Sequence, residues 1–220
     1  VLATDTGATD GITKTGTVNV SGIESGATWQ YSTNNGTSWT NGSGSSFTLA
    51  AGTYAANTIQ VKQTDAAGNI STLGKIATAI TVDTTAAAAP TLVLATDTGT
   101  STTDGITKTG TVNVSGIESG AAWQYSTNNG TSWTTGSATS FTLPEGTYAA
   151  NAIQIQQIDK AGNISIAGKI AKAITVDTTA AAAPAMALAS DTGISTSDGI
   201  TKTGTVNVSG IESGATWQYS

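Results

Sequence analysis

The feature that most constrains this chain is an internal repeat with a period of 94 residues. Trp29, Trp123 and Trp217 each open the phrase Trp-Gln-Tyr-Ser, and successive copies are 94 positions apart, since 123 − 29 = 217 − 123 = 94. Residues 12–39 match residues 106–133 at all but one position. A long-period repeat indicates a tandem array of equal modules.

The repeat divides the 220 residues into two complete modules and part of a third. We predict module 1 at 1–84, a linker at 85–91, module 2 at 92–178, a second linker at 179–185 and a truncated module 3 at 186–220. The third copy is expected to be too short to bury a core of its own. We therefore expect the chain to be cut from a longer array.

Short runs of alternating apolar and polar residues predict β-strands. Val18 and Val20 flank Asn19, and Trp29 and Tyr31 flank Gln30, as in strands with one buried face. The low charged content, 10%, and the 26 glycines disfavour both a charged disordered tail and a helical bundle. Seven strands are predicted in module 1: A (1–4), B (16–22), C (27–32), C′ (38–41), E (45–49), F (54–64) and G (71–82).

This strand pattern is typical of an all-β fold of tandem immunoglobulin-like antiparallel β-sandwiches, with about seven strands each. The turn Asn34-Asn35-Gly36 suits a tight hairpin that needs positive φ angles. Tyr54 is predicted to form a tyrosine corner before strand F. Val20 and Val61 fall where an antibody domain has its cystine, so core packing would replace that cross-link.

Composition excludes several classes of function. All eight basic residues are Lys, Cys and His are absent, and the formal net charge is −6. Nucleic acids and anionic membranes are therefore not expected as partners, since both attract clustered basic residues. No apolar run approaches the ~18 residues of a membrane-spanning helix. Catalysis is not expected, because no His or Cys is available as base or nucleophile.

The fourteen carboxylates all fall in predicted turns or linkers. In a sandwich of this topology, the A–B loop and linker of one module should face the B–C and F–G loops of the next. At the first boundary this gathers Asp5, Asp10, Asp83, Glu118, Asp159 and Asn163. At the second boundary it gathers Asp97, Asp104, Asp177 and Glu212.

Carboxylates converging on one boundary would repel by roughly 1 kcal/mol per close pair in water. Calcium, which takes six to eight oxygen ligands, would remove that repulsion, and metals that prefer nitrogen or sulfur have no His or Cys ligand here. We therefore predict Ca²⁺ at the module junctions. The alternative is that the acids lie in loops simply because loops are solvated.

The ordered phrases D-G-I-T-K-T-G-T-V-N-V-S-G, W-Q-Y-S-T-N-N-G-T-S-W, D-x-A-G-N-I-S and V-D-T-T-A-A-A-A-P resemble bacterial Ig-like repeats of giant surface adhesins. Those adhesins are exported by type I secretion and often carry RTX repeats. The resemblance covers nearly the whole chain. It implies calcium at domain junctions and an extender (stalk) role at the bacterial cell surface, in cell adhesion and biofilm formation. The implied ligands are Asp5, Asp10, Asp83 and Asp159 with their counterparts Asp65, Asp97, Asp104, Asp177, Asp191 and Asp198.

One departure from that family pattern and one difference between the copies bear on the junctions. Lys14, Lys108 and Lys202 stand where such repeats often have Asn, which places a cation near each boundary. The A–B loop of module 1, from Asp5 to Asp10, is also two residues shorter than its counterpart in module 2.

The rival interpretation is a carbohydrate- or surface-binding module that uses exposed Trp residues. Trp29 is most simply a core residue, whereas Trp39 and Trp133 follow the hairpin turn and could offer a flat ring to a sugar. Packing beneath the hairpin is the simpler role for those two rings. The extender interpretation makes neighbouring modules of the same chain the main partners, and leaves any glycan to other regions.

Overall fold

The computed structural model describes residues 1–220, and every regular element in it is a β-strand. The chain separates into two compact units, Val1–Val176 and Asp177–Ser220, which are described separately below. The first unit contains two sandwiches, each with its own hydrophobic core. No helix of the length and apolarity needed to cross a membrane occurs.

The first sandwich is built from nine short strands. They are β1 (Ile12–Thr13), β2 (Thr17–Asn19), β3 (Thr28–Ser32), β4 (Thr40–Asn41), β5 (Ser46–Thr48), β6 (Gly52–Tyr54), β7 (Gln60–Thr64), β8 (Gly74–Lys75) and β9 (Ile80–Val82). One sheet has the order β4-β3-β7-β8, while β2 pairs with β5 and a small sheet has the order β1-β9-β6.

The second sandwich repeats this arrangement with one additional strand. Its strands are β10 (Thr91–Leu94), β11 (Ile106–Thr107), β12 (Thr111–Ser115), β13 (Ala122–Ser126), β14 (Thr134–Gly136), β15 (Ser140–Thr142), β16 (Gly146–Tyr148), β17 (Gln154–Ile158), β18 (Gly168–Lys169) and β19 (Ile174–Val176). The sheet orders are β14-β13-β17-β18, β10-β12-β15 and β11-β19-β16. In the second compact unit, β20 (Ala185–Leu188) pairs with β21 (Val206–Ser209).

Aromatic packing centres each core. Trp29 is only 5% exposed, and the Tyr31 and Phe47 rings stack beside it with centroids 4.1 Å apart. Trp123 in the second sandwich is equally buried, as the alternating pattern of its strand predicts. These cores and strand pairings confirm the tandem immunoglobulin-like β-sandwich fold.

The predicted turn chemistry is present in the structure. Asn35 and Gly36 have φ angles of 57° and 82°, the positive values that the hairpin requires. The Tyr54 hydroxyl donates to the Ala50 carbonyl over 3.0 Å, and Tyr148 does the same to Pro144 over 2.9 Å. Both tyrosine corners therefore tie the turn before strand F to the backbone.

Two of the predicted strands are each divided into two shorter strands, and one strand pairing is parallel. Strand F was predicted as 54–64, but it divides into β6 and β7 around Asn57, whose φ is 65°. Strand G, predicted as 71–82, likewise divides into β8 and β9, because each half pairs in a different sheet. The predicted A–B loop contains β1, which pairs in parallel with β9.

Glycine at position 42 is required by the core Trp beside it. A Cβ there would lie 2.3 Å from three atoms of the Trp29 ring, so Gly42→Ala should lower the free energy of unfolding by roughly 1–3 kcal/mol through overpacking. Gly74→Ala is the matched control, since its Cβ would meet only one backbone oxygen at 3.8 Å. Urea unfolding, followed by amide exchange in β3 and β7, measures the free energy of unfolding of both variants. Equal free energies would contradict this packing.

Candidate functional site at the first module junction

The linker between the two sandwiches is fixed on the second one. Pro90 is buried, and the Gln157 amide donates to the Ala88 carbonyl over 2.6 Å. β10 begins at Thr91, the last residue of the predicted linker, and pairs with β12, with Thr91 opposite Ser115. The last residues of the linker therefore belong to the second sandwich and are not a free joint.

Three side chains bridge the junction by hydrogen bonds. The Thr6 hydroxyl donates to the Ala161 carbonyl, and the Lys14 ammonium donates to the Gly162 carbonyl over 2.9 Å. The Asn163 amide donates to the Asp83 carbonyl over 2.8 Å. The A–B loop and linker of the first sandwich thus meet the F–G loop of the second, as the topology predicts.

The backbones at this contact are too close for a side chain. A Cβ on Gly7, whose φ is 84°, would lie 2.2 Å from the Lys160 carbonyl oxygen. Ala161 is 1% exposed, whereas its counterpart Ala67 in the first sandwich is exposed. The F–G loop of the second sandwich is therefore buried by the junction itself.

The acid of the F–G loop is satisfied within its own turn. Both oxygens of Asp159, which is 6% exposed, accept from the backbone and side-chain N–H groups of Asn163, over 2.8 and 2.9 Å. Asp65 and Asn69 repeat this turn in the first sandwich. There the Asn69 side chain, followed by its backbone N–H, lowers the pKa of Asp65 below its ordinary value.

A different situation holds for the first acid of each A–B loop. Asp5 accepts from the Gly11 N–H through Oδ2 over 2.9 Å, but its Oδ1 is buried without a hydrogen-bond partner. The same oxygen is unpartnered in Asp97 and Asp191. A buried carboxylate oxygen without a partner is costly, so its recurrence in all three copies marks a position suited to a cation.

Most of the other predicted ligands accept hydrogen bonds from the backbone of the loops in which they lie. Asp10, Asp104 and Asp198 each accept from the backbone N–H two residues further on, and so do Asp83 and Asp177. Glu118 and Glu212 are exposed. No group of three or more acidic side chains lies close enough together to hold a metal ion. The expected convergence of carboxylates is therefore absent, because each loop uses its acids locally.

The acids dominated the sequence prediction, but neutral groups and one Lys make the junction contacts. Lys14 had been singled out because it puts a cation at the boundary, and it binds there to a carbonyl group. Thr6, Gly7 and Gln157 were not foreseen. Their only sequence signal is position. Thr6 and Gly7 follow Asp5 directly, and Gln157 stands where the alternation of Ile153 and Ile155 predicts an apolar residue.

The rings proposed for sugar binding are half-buried. The Lys62 ammonium lies 4.1 Å from the centroid of the Trp39 ring, a cation–π contact that covers one face of it. A Cβ on Gly36 would lie 3.6 Å from the same ring, so the hairpin turn also adjoins it. A sugar that stacks on the face covered by Lys62 would have to displace that side chain.

Comparison with known proteins adds a structural similarity and no family. No family model and no curated protein matches the chain. Among solved structures, the fibronectin(III)-like modules of Clostridium thermocellum CbhA are similar, with a TM-score of 0.39 and 14% identity over 78% of this chain and 92% of that chain. A similarity of this size carries no functional argument, and the fold assignment rests on the strand pairing described above.

A matched pair of glycines tests whether the junction is packed as described. Gly7→Ala should separate the two loops, because its Cβ would overlap the Lys160 carbonyl, at a cost of about 1–3 kcal/mol. Gly99→Ala introduces alanine at an equally left-handed position, φ 115°, where nothing lies within 4 Å. Amide exchange in residues 159–163 should accelerate in the first variant and stay unchanged in the second.

If both variants accelerate exchange equally, backbone strain from alanine at a positive φ, in the A–B loop of either sandwich, is the cause and the contact across the junction is unimportant. If neither variant changes exchange, the F–G loop of the second sandwich is protected by its own turn alone.

Proposed function

We propose that this chain is a structural extender (stalk) segment of a bacterial cell-surface adhesin, outside the cell, and that it has no catalytic role. In this proposal, the sandwiches are rigid spacers that hold an adhesive region away from the cell in adhesion and biofilm formation. The observation that carries the proposal is the junction of the first unit, where hydrogen bonds from Thr6, Lys14 and Asn163 join two sandwiches.

The short linker supports a spacer role. A free linker of seven residues would let two domains reorient, as flexible coils do. Here Pro90 is buried and the Ala88 carbonyl is bound by Gln157, which shortens the free part of the linker. Force along the chain would therefore load the contact between the A–B and F–G loops before it straightens the linker.

Calcium at the junctions is the second element of the proposal. The unpartnered oxygens of Asp5, Asp97 and Asp191 fit a hard cation, which would be completed by carbonyl groups and water since no cluster of three acids is present. Bound there, Ca²⁺ would supply charge neutralisation of these buried carboxylates. The A–B loop that holds Asp5 also holds Thr6, so a cation that orders this loop would order the junction.

Calcium titration of the whole chain tests this proposal. Extracellular modules bind Ca²⁺ with Kd on the order of 10⁻⁴ to 10⁻³ M, and a tenfold excess over Kd should stabilise each site by about 1.4 kcal/mol. We expect the maximum dimension from small-angle scattering to increase in calcium relative to chelator. Asp5→Asn should remove one site from the calorimetric stoichiometry.

Glu24→Gln is the control for that variant, because it removes one negative charge from an exposed loop of the same sandwich. It should leave the stoichiometry unchanged. An unchanged scattering profile together with no binding heat would refute the calcium element. If the scattering profile is that of a fully extended chain both with and without Ca²⁺, the direct contacts between the sandwiches are sufficient for the spacer role.

A further inference from the structure

The second sandwich has an open cavity beside its core Trp. The cavity encloses about 570 Å³ between the B–C loop, residues 116–121, and the turn that joins β14 to β15. This volume lies within the roughly 300–1,000 Å³ that is usual for small-molecule sites. Apolar side chains and hydroxyl groups share the lining, namely Val114, Ile117, Trp123, Ser115, Ser137 and Thr139.

The corresponding place in the first sandwich is closed by a hydrogen bond. The Trp29 indole N–H donates to the Gly44 carbonyl over 3.2 Å. Gly44 has a φ of 66°, a left-handed conformation that glycine adopts readily. Its counterpart 94 positions further on is Ala138, whose backbone is not left-handed. No such bond joins Trp123 to Ala138, so the Trp123 indole N–H has no acceptor in the protein.

The two sandwiches differ in the position of this turn and not in the position of the ring. The Trp ring centroid lies 6.2 Å from that of the neighbouring Phe in both sandwiches. A Cβ on Gly42 would meet Cδ2, Cε2 and Cε3 of Trp29, at the centre of the indole. A Cβ on Gly136 would instead meet Cζ2, Cη2 and Cζ3 of Trp123, at its outer edge. The strand that enters the turn is therefore further from the Trp123 indole N–H, which accounts for the cavity there.

The charged groups around the cavity have opposite signs. Glu118 contributes a carboxylate to the lining. The Lys160 side chain lies beside Gly120, which also lines the cavity, and a Cβ on Gly120 would be 3.2 Å from the Lys160 Nζ. One negative and one positive group give no net charge, so the site favours a neutral ligand over an ion.

A neutral sugar residue matches this set of groups. Its hydroxyl oxygens can accept from an indole N–H and can donate to a carboxylate or to Ser and Thr hydroxyls. Its C–H groups suit the apolar walls formed by Val114 and Ile117. A purely apolar ligand would leave the Trp123 indole N–H unpaired and out of water, which is unfavourable.

We propose that the cavity at Trp123 binds a neutral sugar residue, with the indole N–H donating to a sugar hydroxyl. Of the two sandwiches only the second has this site, because there alanine replaces the glycine whose carbonyl closes the turn. The hairpin rings of Trp39 and Trp133 do not line the cavity. Sugar binding at this place depends neither on calcium nor on the extender role.

NMR spectroscopy of the full chain labelled with nitrogen-15 tests the site, because each of the five Trp residues gives one indole N–H resonance. The probes are the methyl glycosides of glucose, galactose and N-acetylglucosamine. We expect at least one of them to shift the Trp123 indole resonance in a saturable titration, while the Trp29 resonance stays in place. Trp123→Phe, which keeps an aromatic ring and removes the N–H, identifies the resonance.

A reciprocal exchange at the turn distinguishes this cavity from non-specific contact with sugar. Ala138→Gly should let the turn close on Trp123 and weaken binding about tenfold or more. Gly44→Ala should open the first sandwich, so that the Trp29 resonance responds to the same glycoside. Ala150→Gly is the control, since it makes the same change at an exposed position outside the cavity, and it should leave binding unchanged.

The absence of a saturable Trp123 shift with all three glycosides would overturn the proposal. A shift that persists in full in the Ala138→Gly variant would also overturn it, since the closed turn leaves no room for the ligand. A response at Trp133 in place of Trp123 would assign sugar binding to the hairpin ring and would contradict the cavity site.

Discussion

The junction of the first unit depends on a linker whose last residues are also core residues. Residues 88–92 fill a groove of the second sandwich, where Leu92 packs in the core and Gln157 binds the Ala88 carbonyl. This shortens the remaining linker, and the F–G loop at Ala161 accepts a hydrogen bond from Thr6 across the boundary. The contact at the boundary thus follows from burial of apolar surface within one module, and the polar contacts across the boundary complete it.

The acids of this chain serve two purposes that the sequence does not distinguish. Asp159 has both oxygens bound by Asn163, so its hydrogen bonds are satisfied within one turn. Asp5 has one oxygen bound by Gly11 and one buried without a partner. An acid of the first kind orders a loop by itself, whereas an acid of the second kind leaves a charge that a cation would compensate. Calcium sensitivity, if it is located at Asp5, would therefore act on the A–B loop and reach the junction through Thr6.

Period-two patterning was enough to predict the sandwich and the buried Trp29, and the turn phrase before strand F was enough to predict the tyrosine corner at Tyr54, because each is a local pattern with one structural solution. The divisions of strands F and G were not predictable, since they depend on which sheet each half joins. Which loops meet at the junction was predictable from the topology. Which atoms make the contact was not predictable, because a carboxylate can bind the backbone of its own loop as readily as an ion. Only the folded loop decides between these two partners.

Near-identity of the repeats makes their strands interchangeable. Residues 17–21, 111–115 and 205–209 have the same sequence, so a strand that pairs with one of them has no sequence reason to reject the others. In the second sandwich the choice is enforced by chain connectivity, which holds residues 88–92 next to β12 at high effective concentration. Repeat arrays are prone to exchange of such strands during folding for this reason.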